Sequence, residues 1–165
     1  MSETRRRVLQ LGAGAAIAAA LGVYTFGRPG RAAETQKFEV THTDEEWKKI
    51  LTPNQFRVLR ESATERPFSS PLNDEHRHGV FSCAGCDLDL YSSETKFESG
   101  TGWPSFYQPL ANAVGTTRDT SLLMVRTAVH CSRCGGHLGH VFDDGPKPTG
   151  LRYCMNGLAM KFRTT

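Results

Sequence analysis

The chain has 165 residues, with 20 Lys and Arg against 17 Asp and Glu and a formal net charge of +3. This length suits one compact domain with a single core. Residues 1–32 hold five of the basic residues and one of the acids, so the rest of the chain carries 15 basic and 16 acidic side chains. With no clustered Lys/Arg surface, we expect no nucleic-acid binding and no binding to an anionic membrane.

Residues 1–32 are typical of a twin-arginine export signal. An arginine run, Arg5 to Arg7, precedes a short apolar stretch at 11–23, and Gly30-Arg31-Ala32 supplies small residues for a processing site. We therefore expect a periplasmic or otherwise exported protein. The apolar run counted over 8–26 leaves an uncleaved membrane anchor as an alternative. A disordered basic tail would not explain the paired arginines.

Two short helices are predicted to open the domain, which we place at 43–165 after a linker at 33–42. Each begins with a capping box, Thr43-Asp44-Glu45-Glu46 and Thr52-Pro53-Asn54-Gln55, and the second has proline at its first helical position. The polar segment 62–78 lacks periodicity and predicts a long loop over the domain surface. The apolar residues at helical spacing are expected in the core or in a lid over it, and not as ligand contacts: Trp47, Ile50, Leu51, Phe56 and Leu59.

From about residue 80 onward the pattern predicts antiparallel β-structure. Short strand-like segments alternate with Gly, Asp, Pro and Ser turns, at 80–81, 88–91, 95–98, 122–129, 139–142, 151–154 and 158–162. The fold class that follows is mainly β with minor helices.

Four of the five cysteines form two Cys-x-x-Cys pairs, Cys83/Cys86 and Cys131/Cys134. Thiolates are soft ligands and two such pairs close a tetrahedron, so the spacing predicts a structural Zn²⁺. Each pair follows a strand-like segment and adjoins glycine, which allows the turn around a metal. Two disulfides are the alternative, since export would permit them. A redox-active dithiol fits less well, because neither pair opens an evident helix.

Cys154 is the cysteine left over, which makes it the candidate reactive residue. Shortly before it, the segment 137–146 supplies two histidines, His137 and His140, and two carboxylates. Nearby imidazoles or Arg152 would lower the pKa of the Cys154 thiol and favour the reactive thiolate. A simply buried cysteine and two hydrogen-bonded structural histidines would fit the same spacing.

Three segments read together, 95–106, 137–142 and 152–157, resemble the B class of methionine sulfoxide reductases. The resemblance includes both cysteine pairs and extends from about Asp44 to Phe162. It implies a fold of two antiparallel sheets with short helices, a structural Zn²⁺ bound by four cysteines, and reduction of the R epimer of methionine sulfoxide.

The resemblance also assigns roles to individual residues. Cys154 matches the nucleophile, and His137 and His140 match the active-site histidines. Trp103, with Phe142 as a weaker candidate, matches the apolar side of the pocket that receives the substrate's methyl group. The polar residues that position substrate, water or the thiolate are Asp144, Arg152 and Asn156. Without the family, Trp103 would be interpreted as an ordinary core tryptophan.

Thr101 departs from the family pattern, because many members have a second cysteine there that closes a disulfide with the oxidised nucleophile. This chain therefore has no resolving cysteine. We expect an external reductant, either a thioredoxin- or glutaredoxin-like protein or a small thiol. A smaller departure is Leu122-Leu123, where the family more often has a polar residue or glycine.

The expected protein is a monomer that reduces oxidised methionine in proteins or peptides. Two other classes of function are compatible with parts of the pattern. A zinc-stabilised module that binds oxidised methionine without turnover would keep the Trp103 pocket but need no nucleophile. A thiol protein whose Cys154 reacts directly with peroxide would need no resolving cysteine but also no apolar pocket.

Overall fold

A computed structural model describes residues 37–121 and 124–165, so the predicted export signal and Leu122-Leu123 lie outside the described residues. Two helices come first, α1 at Asp44–Ile50 and α2 at Pro53–Glu61. The strands of this part of the chain are β1 Gly79–Cys83, β2 Asp89–Ser92, β3 Lys96–Phe97, β4 Ser105–Phe106, β5 Val114–Asp119, β6 Arg126–Cys131, β7 His137–Phe142, β8 Arg152–Met155 and β9 Met160–Thr164. Its longest helix has nine residues, less than half of a membrane span.

The strands form two antiparallel sheets, which confirms the predicted fold class. The smaller sheet has the order β2-β1-β9, and the larger has the order β3-β4-β8-β7-β6-β5. Aromatic side chains join the two sheets: Phe106 of the larger sheet stacks on Tyr91 at 4.4 Å and meets Phe81 edge-on at 4.9 Å, both from the smaller sheet. All three rings are buried, so the main core lies between the sheets.

Both helices begin where the capping boxes predict. Thr43 and Thr52 are the N-cap residues, and each reciprocal pair of hydrogen bonds is formed. Four of the five apolar residues at helical spacing are buried, and Ile50 is the exception, with 52% of its surface exposed. A helix of seven residues buries only a narrow stripe, and Trp47 and the C-cap residue Leu51, four residues apart, occupy it.

Two strands, β4 and β5, were absent from the predicted set. β5 is an edge strand rich in Thr, Arg and Gly with exposed side chains, and its ladder with β6 runs from Val114 opposite Cys131 to Asp119 opposite Arg126. Backbone pairing rather than a hydrophobic pattern makes it a strand. β4 has only two residues, too few for any periodicity to be recognised.

Residues 38–40, assigned above to a linker, contact the domain. The Val40 N–H donates to the Arg133 carbonyl at 3.0 Å, and the ring of Phe38 meets His130 edge-on at 5.5 Å. The compact unit therefore includes residues that precede α1. The loop at 62–78 is present as predicted, with one 3₁₀ turn at Pro71–Asp74.

Candidate active site

The four paired cysteines meet where β1 and β6 end, with their Sγ atoms all within 4.8 Å of one another. Cys83 lies 3.7 Å from Cys134 and Cys86 lies 3.5 Å from Cys131, measured between Sγ atoms. Zn–S bonds of about 2.3 Å give a tetrahedron with edges of about 3.8 Å, which fits these spacings. A disulfide would need about 2.05 Å, so the four thiols are spaced as possible metal ligands and not as two disulfides.

The two turns that present the cysteines have matching backbones. The residue after the second cysteine of each pair has a positive φ: Asp87 at 57° and Gly135 at 70°. Gly85, expected to make the first turn, does not have this conformation; Asp87 makes it instead, because aspartate tolerates the left-handed region. At Gly135 a Cβ would also lie 2.4 Å from the Phe38 ring, so both the positive φ and the lack of space favour glycine there.

Cys154 lies on β8 in the middle of the larger sheet. It stands opposite Ser105 of β4 on one side and His140 of β7 on the other. Side chains that oppose each other across neighbouring strands project from the same face of the sheet. That face borders a cavity of about 230 Å³ lined by Thr64, Trp103, Arg126, Gly139, His140, Phe142, Cys154 and Asn156. Five predicted site residues therefore share one cavity: Cys154, His140, Asn156, Trp103 and Phe142.

Burial raises the pKa of the Cys154 thiol. The Thr101 hydroxyl, 3.8 Å from Sγ, Arg152 on the same strand and Ser105 on β4 lower it, but their combined effect is smaller than that of burial. Arg152 thus lowers the pKa as predicted, while burial makes the net shift of the pKa upward. A thiol with a raised pKa keeps its proton at neutral pH, so nucleophilic attack requires help in removing it.

Arg152 is held in place by Asp144 and Phe142. Its Nε and Nη2 donate to the two Asp144 carboxylate oxygens, both at 2.8 Å, and its guanidinium lies 4.4 Å from the centre of the Phe142 ring. Asp144 itself is 60% exposed and is not among the residues that line the cavity. The structure thus places Asp144 behind Arg152, where it can orient the guanidinium but not touch a ligand in the cavity.

His140 is bound by a carboxylate that the sequence analysis missed. Asp119 Oδ2 lies 2.8 Å from His140 Nε2 and 2.7 Å from Arg126 Nη2. Hydrogen bonds from Ser121, followed by the one from His140, hold the pKa of Asp119 well below its usual range. The carboxylate at Nε2 fixes the orientation of the His140 ring. Asp119 and Arg126 face each other across the β5–β6 hairpin, so predicting β5 would have revealed the pair.

His137 lies behind His140 rather than at the cavity. The two rings meet edge-on at 5.4 Å, and His137 is only 8% exposed. Burial lowers the pKa of His137 to about 4. Within 37–121 and 124–165 no residue bonds its Nε2. At neutral pH this imidazole is uncharged and therefore a poor proton donor.

Glu65 in the loop at 62–78 joins the two sides of the site. Its backbone N–H donates to Asn156 Oδ1 at 3.0 Å, and its backbone carbonyl accepts from Trp103 Nε1 at 3.1 Å. Its carboxylate accepts hydrogen bonds from the backbone N–H groups of Gly157 and Leu158, and burial raises its pKa. No local pattern marked Glu65, because all four bonds join it to residues far away in sequence.

Comparison with known proteins gives the same result along the whole domain. Residues 51–164 match the family model described as SelR domain. A protein of Methanosarcina barkeri described as peptide methionine sulfoxide reductase MsrB is 56% identical over 126 residues, covering 76% of this chain and 89% of the relative. Proteins with the same description from Leptospira interrogans (54% identical, 76% of this chain, 97% of the relative) and Bradyrhizobium diazoefficiens (52%, 81% and 96%) are similar to it as well.

Proposed function

Since this chain belongs to the SelR family of MsrB-type methionine sulfoxide reductases and is a peptide-methionine (R)-S-oxide reductase, we propose that Cys154 carries out the reduction in this cavity. The observation that supports this role most directly is the position of the thiol. Cys154 faces a cavity that has Trp103 and Phe142 on its apolar side and His140 beside the sulfur. The substrate is a methionine-R-sulfoxide in an oxidised peptide or protein.

The first step transfers oxygen from the sulfoxide to the enzyme. The Cys154 thiolate attacks the sulfoxide sulfur while the sulfoxide oxygen takes up one proton. The oxygen then passes from the methionine sulfur to the Cys154 sulfur as the new S–S bond breaks, so methionine leaves and Cys154 becomes a sulfenic acid. The sulfur of Cys154 loses two electrons and the sulfoxide sulfur gains them. One thiolate, one sulfoxide and one proton thus give one sulfenic acid and one methionine.

His140 is the best placed donor of that proton. It borders the cavity, whereas His137 is buried behind it and uncharged at neutral pH. Because Asp119 engages Nε2, donation to the substrate falls to Nδ1. Arg152, oriented by Asp144, supplies positive charge beside the thiolate, and the apolar rings of Trp103 and Phe142 accommodate the methyl group.

A turnover assay with R- and S-methionine sulfoxide in a short peptide tests the proposal. We expect turnover of the R epimer only, no turnover in Cys154→Ser, and a loss on the order of 10²-fold in His140→Ala. Cys154→Ser should keep the melting temperature of the parent, since a single thiol contributes little to the core. Activity retained in Cys154→Ser would refute the assigned nucleophile.

We propose that an external thiol resets the enzyme. The chain has five cysteines, and four of them form the metal cluster, so oxidised Cys154 has no remaining partner thiol. A first thiol forms a mixed disulfide with Cys154 and releases water, and a second thiol releases the reduced enzyme as a new disulfide forms. The donor is a thioredoxin- or glutaredoxin-like protein or a small thiol.

Mass spectrometry after one equivalent of substrate distinguishes the routes. One added oxygen or a dimedone adduct on Cys154 supports external reduction. A disulfide between Cys154 and any clustered cysteine would contradict it. In Thr101→Cys the introduced thiol would lie near Cys154, since the threonine hydroxyl is 3.8 Å from Sγ. A disulfide between the introduced thiol and Cys154, with faster recycling by thioredoxin, is therefore expected in that variant.

We propose Zn²⁺ as the clustered metal and export as the destination. The donor set of four thiolates at tetrahedral spacing supports zinc, which would stabilise the fold without taking part in the reaction. Twin-arginine export carries folded proteins, so zinc would bind in the reducing cytosol and protect these thiols afterwards. In the periplasm the enzyme would repair oxidatively damaged proteins. Metal analysis and cell fractionation of the native protein test both points.

A further inference from the structure

Three hydroxyl groups form a row beside Cys154, from Thr101 through Ser99 to Ser105, which stands opposite Cys154 across the β4–β8 ladder. Thr101 Oγ1 lies 3.8 Å from Cys154 Sγ, and Ser99 Oγ lies 2.8 Å from Thr101 Oγ1. Ser105 Oγ follows at 2.7 Å from Ser99 Oγ, and it also lies 3.1 Å from the Trp103 carbonyl oxygen. Ser105 is 1% exposed, so the inner end of this row has no access to bulk water.

A hydroxyl has one proton to donate and two lone pairs, so this row has two complete arrangements of its protons. In the first, Cys154 S–H donates to Thr101, Thr101 donates to Ser99, Ser99 to Ser105, and Ser105 to the Trp103 carbonyl. In the second, every hydroxyl rotates: Ser105 donates to Ser99, Ser99 to Thr101, and Thr101 to the sulfur. The first suits a protonated Cys154 and the second suits a thiolate.

We propose that Ser105, Ser99 and Thr101 form a reversible hydroxyl chain that turns toward Cys154 when the thiol loses its proton and so stabilises the thiolate. The inference deepens the proposed function, on which its role in catalysis rests. Thr101 then has a role of its own at the position where many family members have a resolving cysteine, because its hydroxyl bonds the reacting sulfur. Donors in such a row polarise one another, so the last bond is stronger than that of an isolated hydroxyl.

The charges around Cys154 share this task with the neutral donors. Arg152, on the same strand, is paired with Asp144 through two hydrogen bonds. His140 on β7 and Arg126 on β6 border the same cavity and share Asp119. Each cation therefore has a carboxylate beside it that reduces its attraction for a thiolate. The hydroxyl chain has no competing anion among the contacts described above.

Alkylation of Cys154 by iodoacetamide as a function of pH tests the chain without using sulfoxide. The zinc-loaded protein is compared with Thr101→Val, which removes the hydroxyl and keeps the shape, and with Thr101→Ser, which keeps it. Modification of Cys154 is followed by mass spectrometry of its peptide. We expect Thr101→Val to react roughly 10-fold more slowly at pH 8, with its pH profile displaced upward, and Thr101→Ser to stay within about twofold of the parent.

Ser99→Ala separates the chain from a single hydrogen bond. It leaves the Thr101 hydroxyl but removes its inner neighbour, so we expect an intermediate slowing of roughly threefold. Parental rates in both Thr101→Val and Ser99→Ala would overturn the proposal. Slowing in Thr101→Val but not in Ser99→Ala would overturn the proposed hydroxyl chain and would indicate a single hydrogen bond from Thr101 to Cys154. Because alkylation needs no substrate, these outcomes are independent of whether sulfoxide turnover is found.

Discussion

The molecule uses cysteine in two places, and only the neighbours differ. At the ends of β1 and β6 the four clustered thiols lie within 4.8 Å of one another, placed to bind a metal ion. On β8 the single thiol of Cys154 faces the Thr101 hydroxyl at 3.8 Å, with His140 on the adjacent strand and Arg152 on its own. A thiol surrounded by thiols binds a metal, and a thiol surrounded by proton donors and cations is prepared for reaction.

The two places also differ in how the backbone supports them. Cys83 ends β1 of the smaller sheet and Cys131 ends β6 of the larger, so a bound metal joins the sheets where no ladder does. Cys154 is held in a ladder with strands on both sides. We therefore expect the clustered cysteines to determine the stability of the domain. Cys154 should determine its reactivity and contribute little to its stability.

The largest effect is expected from breaking the metal cluster. Cys131→Ser removes one ligand, and structural zinc contributes on the order of 10 kcal/mol to folding, so the domain should lose its cooperative melting transition. Circular dichroism and zinc analysis measure this, and a strong chelator should act in the same way on the parent. Cys154→Ser is the matched control and should melt like the parent. A folded, zinc-free Cys131→Ser protein would contradict the division of roles.

A smaller effect, on the free energy of unfolding, is expected when His137 on β7 takes up a proton. Its pKa of about 4 in the folded protein lies below the unfolded value of about 6.5, so the folded state binds fewer protons between these values. Stability is therefore lost as the pH falls through this window, by about 2 kcal/mol at pH 5.

The His137→Gln variant lacks this proton uptake, while its clustered cysteines titrate as in the parent. The difference in free energy of unfolding between parent and variant should therefore shrink by about 2 kcal/mol from pH 7 to pH 5. Urea denaturation at the two pH values measures it. A difference that does not change with pH would show that His137 already binds a proton in the folded protein.

The smallest effect is expected at Asp119, which acts on Cys154 only through His140. Asp119→Asn keeps a side chain of the same shape but removes the charge, so kcat should fall on the order of 10-fold, with little change in KM. Asp89→Asn is the control, since it removes an exposed pair with Arg163 on the smaller sheet, to which the strand of Cys154 does not belong. Equal activity in both variants would rule out a role for Asp119.

The parts of the molecule that follow from local sequence were predictable. The caps at Thr43 and Thr52, the two cysteine pairs and the isolation of Cys154 depend on residues close together in the chain. Asp119 could not be found in that way. It contacts His140 because β5 pairs with β6, and β5 has an exposed, hydrophilic sequence that no apolar alternation marks.

The same reasoning explains two further misses. Ile50 satisfies helical spacing, but α1 has only seven residues and buries only a narrow stripe. The length of the helix cannot be read from the spacing of its apolar residues. The pKa of Cys154 depends on how deeply the β8 strand is covered, and the covering loops come from elsewhere in the chain. Charges near in sequence indicated a lowered pKa, whereas burial raises it.

Glu65 links the wall of the cavity to the chain segment that follows the nucleophile, through hydrogen bonds to both. Its backbone holds Trp103 and Asn156, and its carboxylate holds the residues that follow Asn156. Exchanging the loop around Glu65 to admit bulkier substrates would also remove the hydrogen bonds that hold Asn156 and the two residues after it, just beyond Cys154 in the chain. A successful graft would have to carry this glutamate with it, so changes of substrate range in this scaffold are coupled to the rigidity of the reacting strand.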